Sequence, residues 1–202
     1  MEFLVAFILI CGIVMSGFRR IKLLNASFAL QSFAIAVICL LKGLQSKEIH
    51  FYILSALTLI TKVCIIPYIM SRSTKQIKTK RETALIISGF WSYILSGLSV
   101  VLAFIFLKNF SDPLFKSGCV LLIVGALLLM GRKKAITQMI GLLTMENGIV
   151  LFEISIVKMG SLIELGIIFE MLILALIMGV MIFKINQTFD SINTDFLSNL
   201  KE

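Results

Sequence analysis

Seven long apolar runs decide which folds are open to this sequence. A helix needs about 20 apolar residues to cross a hydrocarbon core about 30 Å thick, and strands of a membrane barrel alternate in polarity over about 10 residues. These runs are long and continuously apolar, so they predict an all-α membrane bundle with seven transmembrane helices. They are Phe3–Phe18, Leu23–Leu41, Phe51–Ser71, Thr83–Leu107, Leu114–Met130, Ala135–Val157 and Ser161–Phe183.

Composition agrees with this class. Of the 202 residues, 59% are hydrophobic, against roughly 45–50% in soluble domains. A helix start is expected at Asp112 and Pro113, because proline suits the first turn of a helix. By these runs the chain divides into a four-helix part over residues 1–110, a three-helix part over residues 111–184 and a tail over residues 185–202.

The basic residues predict the orientation of the bundle. Lysine and arginine in short loops are retained on the cytoplasmic side. Most of the 19 basic residues lie after the first, third and fifth runs and in the tail. The N-terminus is therefore expected outside and the C-terminus in the cytoplasm. No nucleic acid is expected as a partner, because the net charge of +8 is spread between apolar segments rather than clustered on one solvated face.

The 4 cysteines give no sign of a metal site. They are Cys11, Cys39, Cys64 and Cys119, all within or at the edges of apolar runs, without a C-x-x-C pair or a nearby histidine. Zinc and iron–sulfur sites need closely spaced ligands of these types. No metal or cofactor is expected in this chain.

Ionisable side chains occur where lipid should exclude charge. An ionised side chain in mid-bilayer costs roughly 2.5–3.5 kcal/mol on insertion scales, so such residues tend to face a protein interior or a water path. Lys62 lies in the third run, and the last two runs carry Glu146, Glu153, Glu164 and Glu170. A membrane anchor with a purely structural role has no reason to carry them.

Helical rise places several of these residues at one depth. Counted along its run, Glu146 lies about 16 Å from Ala135, Lys62 about 16 Å from Phe51 and Glu170 about 14 Å from Ser161. The turn at residues 158–160 makes the last two helices antiparallel neighbours, which sets Glu146 level with Glu170 and Glu153 level with Glu164. We expect a proton relay whose midplane step is Glu146 and Glu170. Solvation of Glu153 and Glu164 at the outer interface, and a structural counter-ion role for Lys62, stay open as alternatives.

Two further segments predict helix contacts. Ser88, Ser92 and Ser96 recur at i, i+4 spacing in the fourth run, so another helix of this chain or of a partner could approach closely there. The tail is expected to be amphipathic and to serve assembly on the membrane surface or on a partner. Its apolar residues at near-helical spacing are Ile185, Phe189, Ile192, Phe196 and Leu200.

The last third of the chain resembles a known family. The stretches Gly131–Lys134, Gln138–Gly148, Glu164–Gly166, Phe169–Glu170 and Asp190–Leu197 resemble the E component of hydrogenase-4. That family supplies a membrane subunit of formate hydrogenlyase and related energy-converting NiFe-hydrogenase complexes. The part over residues 111–184 is also similar to the K subunit of respiratory complex I, with Glu170 matching its third-helix glutamate and Glu146 three residues beyond its second-helix carboxylate.

The resemblance implies a subunit of an oxidoreductase complex in a prokaryotic cytoplasmic membrane. The chain would supply part of a proton or sodium path, and Ni-Fe and iron–sulfur clusters would belong to hydrophilic hydrogenase-like partner subunits. Other partners would be antiporter-like and anchor membrane subunits. Two further classes stay open: a small subunit of a multisubunit cation/proton antiporter, and a self-contained transporter, although the two halves of the chain are dissimilar.

Overall fold

A computed structural model describes residues 1–75, 88–110, 112–132 and 135–155. Every element in these residues is a helix, and no strand occurs among them. The predicted seventh span with Glu164 and Glu170, and the tail over residues 185–202, lie outside the described residues. The helices are α1 (Glu2–Gly17), α2 (Ile21–Ser46), α3 (Ile49–Thr58), a π-helical segment (Leu59–Ile65), α4 (Ile66–Lys75), α5 (Gly89–Phe106), α6 (Pro113–Gly131) and α7 (Ala135–Ser155).

The all-α class predicted from the sequence is confirmed for these residues. By length and apolar composition, 4 helices can cross a membrane: α2, the continuous helix Ile49–Arg72, α5 and α6. Helix α1 is apolar but has 16 residues, and α7 ends at Ser155, the last described residue. Large apolar side chains such as Phe3, Phe90 and Phe106 are exposed on the outer surface, as expected of a bundle that faces lipid.

Helix α2 lies at the centre of the bundle, in contact with α1, α3, the π segment, α4 and α7. Its side chains Phe28, Ile35 and Ile38 are buried. The helix extends to Ser46, beyond the predicted end at Leu41, and stops where Lys47 adopts a left-handed conformation with φ 58°. This conformation leads directly into α3, so α2 and α3 are antiparallel neighbours.

Glycines bring α6 and α7 into backbone contact. A Cβ atom added at Gly118 would lie 2.8 Å from the carbonyl oxygen of Gly148, and one added at Gly125 would lie 2.7 Å from that of Gly141. Reciprocal additions at Gly148 and Gly141 would meet the same partners at 2.8 Å. Only glycine allows two helices to approach this closely. The hairpin is therefore a rigid pair that fixes the direction in which α7 presents its polar residues.

The serine stripe of the fourth run packs within this chain. Ser16 Oγ at the end of α1 lies 3.0 Å from Ser96 Oγ and 3.2 Å from the carbonyl oxygen of Ser92, both on α5. Gly97, on the adjacent face of α5, has nothing within 4 Å of an added Cβ atom. Of the two possibilities left open by the sequence, Ser92 and Ser96 contact another helix of the same chain.

The start of α6 confirms the prediction at Asp112 and Pro113. Proline occupies the first turn, and the Asp112 carboxylate accepts a hydrogen bond of 2.9 Å from the backbone N–H of Leu114. Its second oxygen accepts a hydrogen bond of 2.8 Å from the Ser155 hydroxyl. Asp112 thus caps α6 and also ties it to the end of α7.

Proline produces the π segment in the third run. Pro67 has no backbone N–H, and its ring would clash with the carbonyl group four residues earlier in a regular α-helix. Immediately before it, the N–H of Ile66 donates to the carbonyl oxygen of Thr61, five residues back. This wider turn relieves the clash. Lys62 lies inside the π segment.

Candidate functional site

The structure brings two of the predicted site residues together. Lys62 Nζ lies 3.5 Å from Glu146 Oε1, and the side chains are 0% and 1% exposed. Lys62 comes from the π segment and Glu146 from the middle of α7. The contact makes Lys62 a counter-ion of Glu146, and the common depth in the membrane stays a prediction.

Neutral polar side chains continue the site toward α2. Asn147, the neighbour of Glu146, donates a hydrogen bond of 3.0 Å from Nδ2 to the hydroxyl of Ser32 on α2, and both residues are fully buried. Beside Ser32, Gln31 Nε2 donates to the carbonyl oxygen of Ile8 on α1 at 3.2 Å. A polar layer therefore crosses the bundle from α1 through α2 to α7 and the π segment.

This layer contains acceptor atoms that the described protein atoms do not saturate. Gln31 Oε1 and Asn147 Oδ1 are buried and have no hydrogen-bond partner among the described residues. A buried amide oxygen is costly unless a donor reaches it, and internal water is the usual donor in proteins. The interior beside the Lys62 and Glu146 pair is thus chemically suited to water.

Of the other three predicted carboxylates, one is half-buried and two lie outside the described residues. Glu153 is half-buried on α7, two helical turns beyond Glu146 and on the same face. Glu164 and Glu170 lie outside the described residues, so the predicted pairing of Glu146 with Glu170 stays a prediction. Within the described ranges no group of three His, Cys, Asp or Glu side chains could hold a metal ion.

A buried arginine joins the end of α6 to the end of α1. Arg132 follows α6, is 2% exposed, and donates from Nη2 to the carbonyl oxygens of Met15 at 3.2 Å and Ser16 at 3.1 Å. These carbonyl groups belong to the last turn of α1, where a cation also stabilises the helix dipole. The sequence places Arg132 in a basic loop that sets orientation, and the structure gives it this second role.

Sequence reasoning missed the neutral members of the site. Its search for charge in lipid found Lys62 and Glu146 but not Gln31, Ser32 or Asn147, because uncharged polar residues are common in membrane helices. The available signal was the polar pair Gln31 and Ser32 at the middle of an apolar run. Such a pair needs partners in the interior of the bundle.

The pair itself has clear chemical possibilities. It can be an ammonium and a carboxylate or, after one proton moves from Nζ to Oε1, a neutral amine and a neutral acid. The two groups lie in direct contact, so gain or loss of a proton by one changes the charge that the other faces. A unit of this kind can hold and pass a proton in a place where an isolated charge is unstable.

Comparisons with known proteins assign no family. No family model matches the chain, and neither a curated protein nor a solved structure matches it.

Proposed function

We propose that the chain is a non-catalytic membrane subunit of an energy-converting, hydrogenase-type redox complex, and that it contributes the Lys62 and Glu146 pair to a proton or sodium path. The single observation that carries the proposal is this pair, 3.5 Å apart and buried in an otherwise apolar bundle. Ion paths in membrane proteins are built from such intramembrane charges.

Stability alone does not explain the pair. Exchange of a buried ion pair for well-packed apolar residues of similar volume is often neutral or stabilising, because desolvation of two charges offsets their attraction. A bundle that needed only to pack could therefore use leucine and methionine at both positions. A requirement for titratable groups accounts for their presence.

Transfer through the pair needs no metal or cofactor. A proton that reaches Glu146 neutralises the carboxylate and weakens its hold on Lys62. Loss of a proton from Lys62 to the far side leaves a neutral amine, which takes the proton from Glu146 and returns the pair to an ammonium and a carboxylate. Glu170 is proposed as the following carboxylate of the path, with Glu153 and Glu164 toward the outer surface.

The proposed topology has seven spans, with the N-terminus outside and the C-terminus in the cytoplasm. It is supported by the basic residues at one end of the described helices, which include Arg19 and Arg20 after α1, Arg72 near the end of α4 and Arg132 after α6. In this topology the polar layer around Glu146 lies near the membrane midplane.

The partners are proposed from the resemblance to the E component of hydrogenase-4 over residues 131–200. Hydrophilic subunits with Ni-Fe and iron–sulfur clusters would carry the redox chemistry, and antiporter-like and anchor subunits would adjoin this chain in a prokaryotic cytoplasmic membrane. The alternative of a cation/proton antiporter subunit shares the membrane partners but lacks the redox ones.

Affinity purification tests this proposal. The tagged chain is isolated from mildly solubilised membranes, and its partners are identified by mass spectrometry and iron analysis. Iron–sulfur and hydrogenase-like subunits in stoichiometric amounts are expected. Recovery of the chain alone, or with antiporter subunits only, would contradict the redox assignment.

A further inference from the structure

A pocket of about 330 Å³ opens between α2 and α4, at the end of the bundle where α2 begins and α4 ends. Lys22, Asn25 and Ala29 line one wall, and Pro67, Met70 and Ser71 line the other. The space would hold several water molecules. Lys22 is exposed, so the opening carries a charged side chain.

Asn25 gives the pocket a polar wall. The residue is 7% exposed, and its Nδ2 donates to the carbonyl oxygen of Pro67 at 3.0 Å and to the hydroxyl of Ser71 at 3.2 Å. Its Oδ1 is buried and has no hydrogen-bond partner among the described residues. This oxygen requires a donor, which water provides and the hydrocarbon of a lipid chain does not.

The pocket points toward the buried pair. Asn25, Ala29 and Ser32 follow one another at i, i+4 and i+7 and so share one face of α2. The Ser32 hydroxyl accepts a hydrogen bond from Asn147, the neighbour of Glu146. The rise from Ala29 to Ser32 is about 4.5 Å, or less than one helical turn.

The opposite wall of the pocket belongs to the helix that carries Lys62. Pro67 follows Lys62 by five residues on one continuous helix. The proline that bounds the pocket is also the residue that imposes the π segment in which Lys62 lies. Both walls thus belong to the two helices that carry Ser32 and Lys62.

We propose that this pocket is the aqueous access through which protons reach the Lys62 and Glu146 pair from the Lys22 side of the membrane. Its occupant is water, hydrogen-bonded to Asn25 Oδ1. The small side chain of Ala29 keeps the inner end open toward Ser32. The transport role rests on the proposed function, and under the proposed topology the Lys22 side is the cytoplasmic side.

Cysteine reactivity tests the presence of water independently of transport. A membrane-impermeant methanethiosulfonate reagent reacts with thiolates, which form in water and not in hydrocarbon. The variants Ala29→Cys and Leu30→Cys are compared in a Cys64→Ala background, since Cys64 is the exposed native cysteine. The two positions are adjacent in depth, but Leu30 is 52% exposed on the outer surface.

We expect Ala29→Cys to react about tenfold faster than Leu30→Cys when reagent is applied from the Lys22 side. Ala26→Cys, at an exposed pocket residue, should react as well and serves if Ala29→Cys folds poorly. Equal, slow reaction of the pocket cysteines and Leu30→Cys would overturn the proposal, as would reaction from the opposite side only. The first result would mean that lipid fills the pocket, and the second that water enters it from the other face of the membrane.

A second variant tests whether the water serves the pair. Ala29→Leu fills the inner end and leaves Lys62 and Glu146 in place, so proton translocation by the assembled complex should fall about tenfold. Leu30→Ala, on the lipid face, is the control. Unchanged translocation in Ala29→Leu would contradict a path through the pocket. If instead Glu146→Gln leaves translocation unchanged while Ala29→Cys reacts, the water access stands and the proposed function fails.

Discussion

Lys62 Nζ and Glu146 Oε1 lie 3.5 Å apart, on two helices that are distant in sequence, and both side chains are buried. The lysine lies in a π segment that ends directly before Ile66 and Pro67, and the glutamate lies in a helix held by glycine contacts to its neighbour. Local backbone chemistry therefore shapes both helices, and their packing brings the two charges together.

The pair should behave as one energetic unit. Removal of one member takes an ion-pair partner from a buried charge and should lower the free energy of unfolding by about 3–5 kcal/mol. Lys62→Met and Glu146→Leu test this singly, and the double variant should recover most of the loss. Denaturant unfolding in detergent measures the three values. Losses that simply add in the double variant would show that the two groups do not interact.

Glycine contacts should limit which side chains α6 tolerates at the positions that face α7. In Gly125→Ala the added methyl meets the backbone of Gly141 and Met145 at 2.7 Å, so the helices must separate, with an expected loss of about 1–3 kcal/mol. Gly97→Ala on α5 meets nothing within 4 Å and should be neutral or gain up to about 1 kcal/mol from helix propensity. Thermal unfolding compares the two. Equal melting temperatures would contradict the close approach of α6 and α7.

Arg132 should stabilise the end of α1. Arg132→Ala removes its hydrogen bonds to the carbonyl oxygens of Met15 and Ser16, and a loss of about 1–3 kcal/mol is expected for a buried group left unsatisfied. Arg20→Ala removes an exposed arginine of the same basic set and should change stability by less than about 0.5 kcal/mol. Equal effects in unfolding experiments would argue that Arg132 acts only through its charge.

Orientation can be tested by labelling. A cysteine introduced in the basic stretch over residues 72–82 should react with an impermeant reagent from the cytoplasmic face, because basic loops are retained there. Measurements on right-side-out and inverted vesicles distinguish the faces. Modification from the outside only would reverse the proposed topology.

Sequence reasoning succeeded where one residue and its local context carry the information. Pro113 after Asp112 predicted the start of α6, and the search for charge within apolar runs found Lys62 and Glu146, which the structure places 3.5 Å apart. Periodicity cannot say which helices are neighbours. The contact between these two residues depends on how α2, α7 and the π segment pack, which is a property of the whole bundle.

The glycines illustrate the same limit of sequence reasoning, which cannot say which helices are neighbours. Gly118 and Gly125, like Gly141 and Gly148, are separated by seven residues, a spacing that places each pair on one helix face. That spacing predicts a smooth face on α6 and another on α7. It does not predict that the two faces are in contact. Likewise, Gln31, Ser32 and Asn147 are ordinary residues for a membrane helix until packing buries them in one layer.

Proton translocation by the assembled complex in inverted vesicles is the most direct test of the central claim. Glu146→Gln keeps an oxygen that can accept a hydrogen bond from Lys62 but cannot exchange a proton, so translocation should fall about tenfold or more. Assembly and electron transfer to an artificial acceptor should persist. Should Glu146→Gln assemble poorly, the Lys62→Met/Glu146→Gln double variant removes the buried lysine charge as well and carries the same prediction. Glu48→Gln, at an exposed glutamate, is the matched control and should translocate normally.

Glu170→Gln is expected to lower proton translocation in the same assay, as Glu146→Gln does, since both glutamates are proposed as steps of one path. The prediction is a loss of translocation with electron transfer retained. Translocation at the wild-type rate in Glu146→Gln, in Glu170→Gln and in their double variant would contradict the account and leave these glutamates with a structural role only.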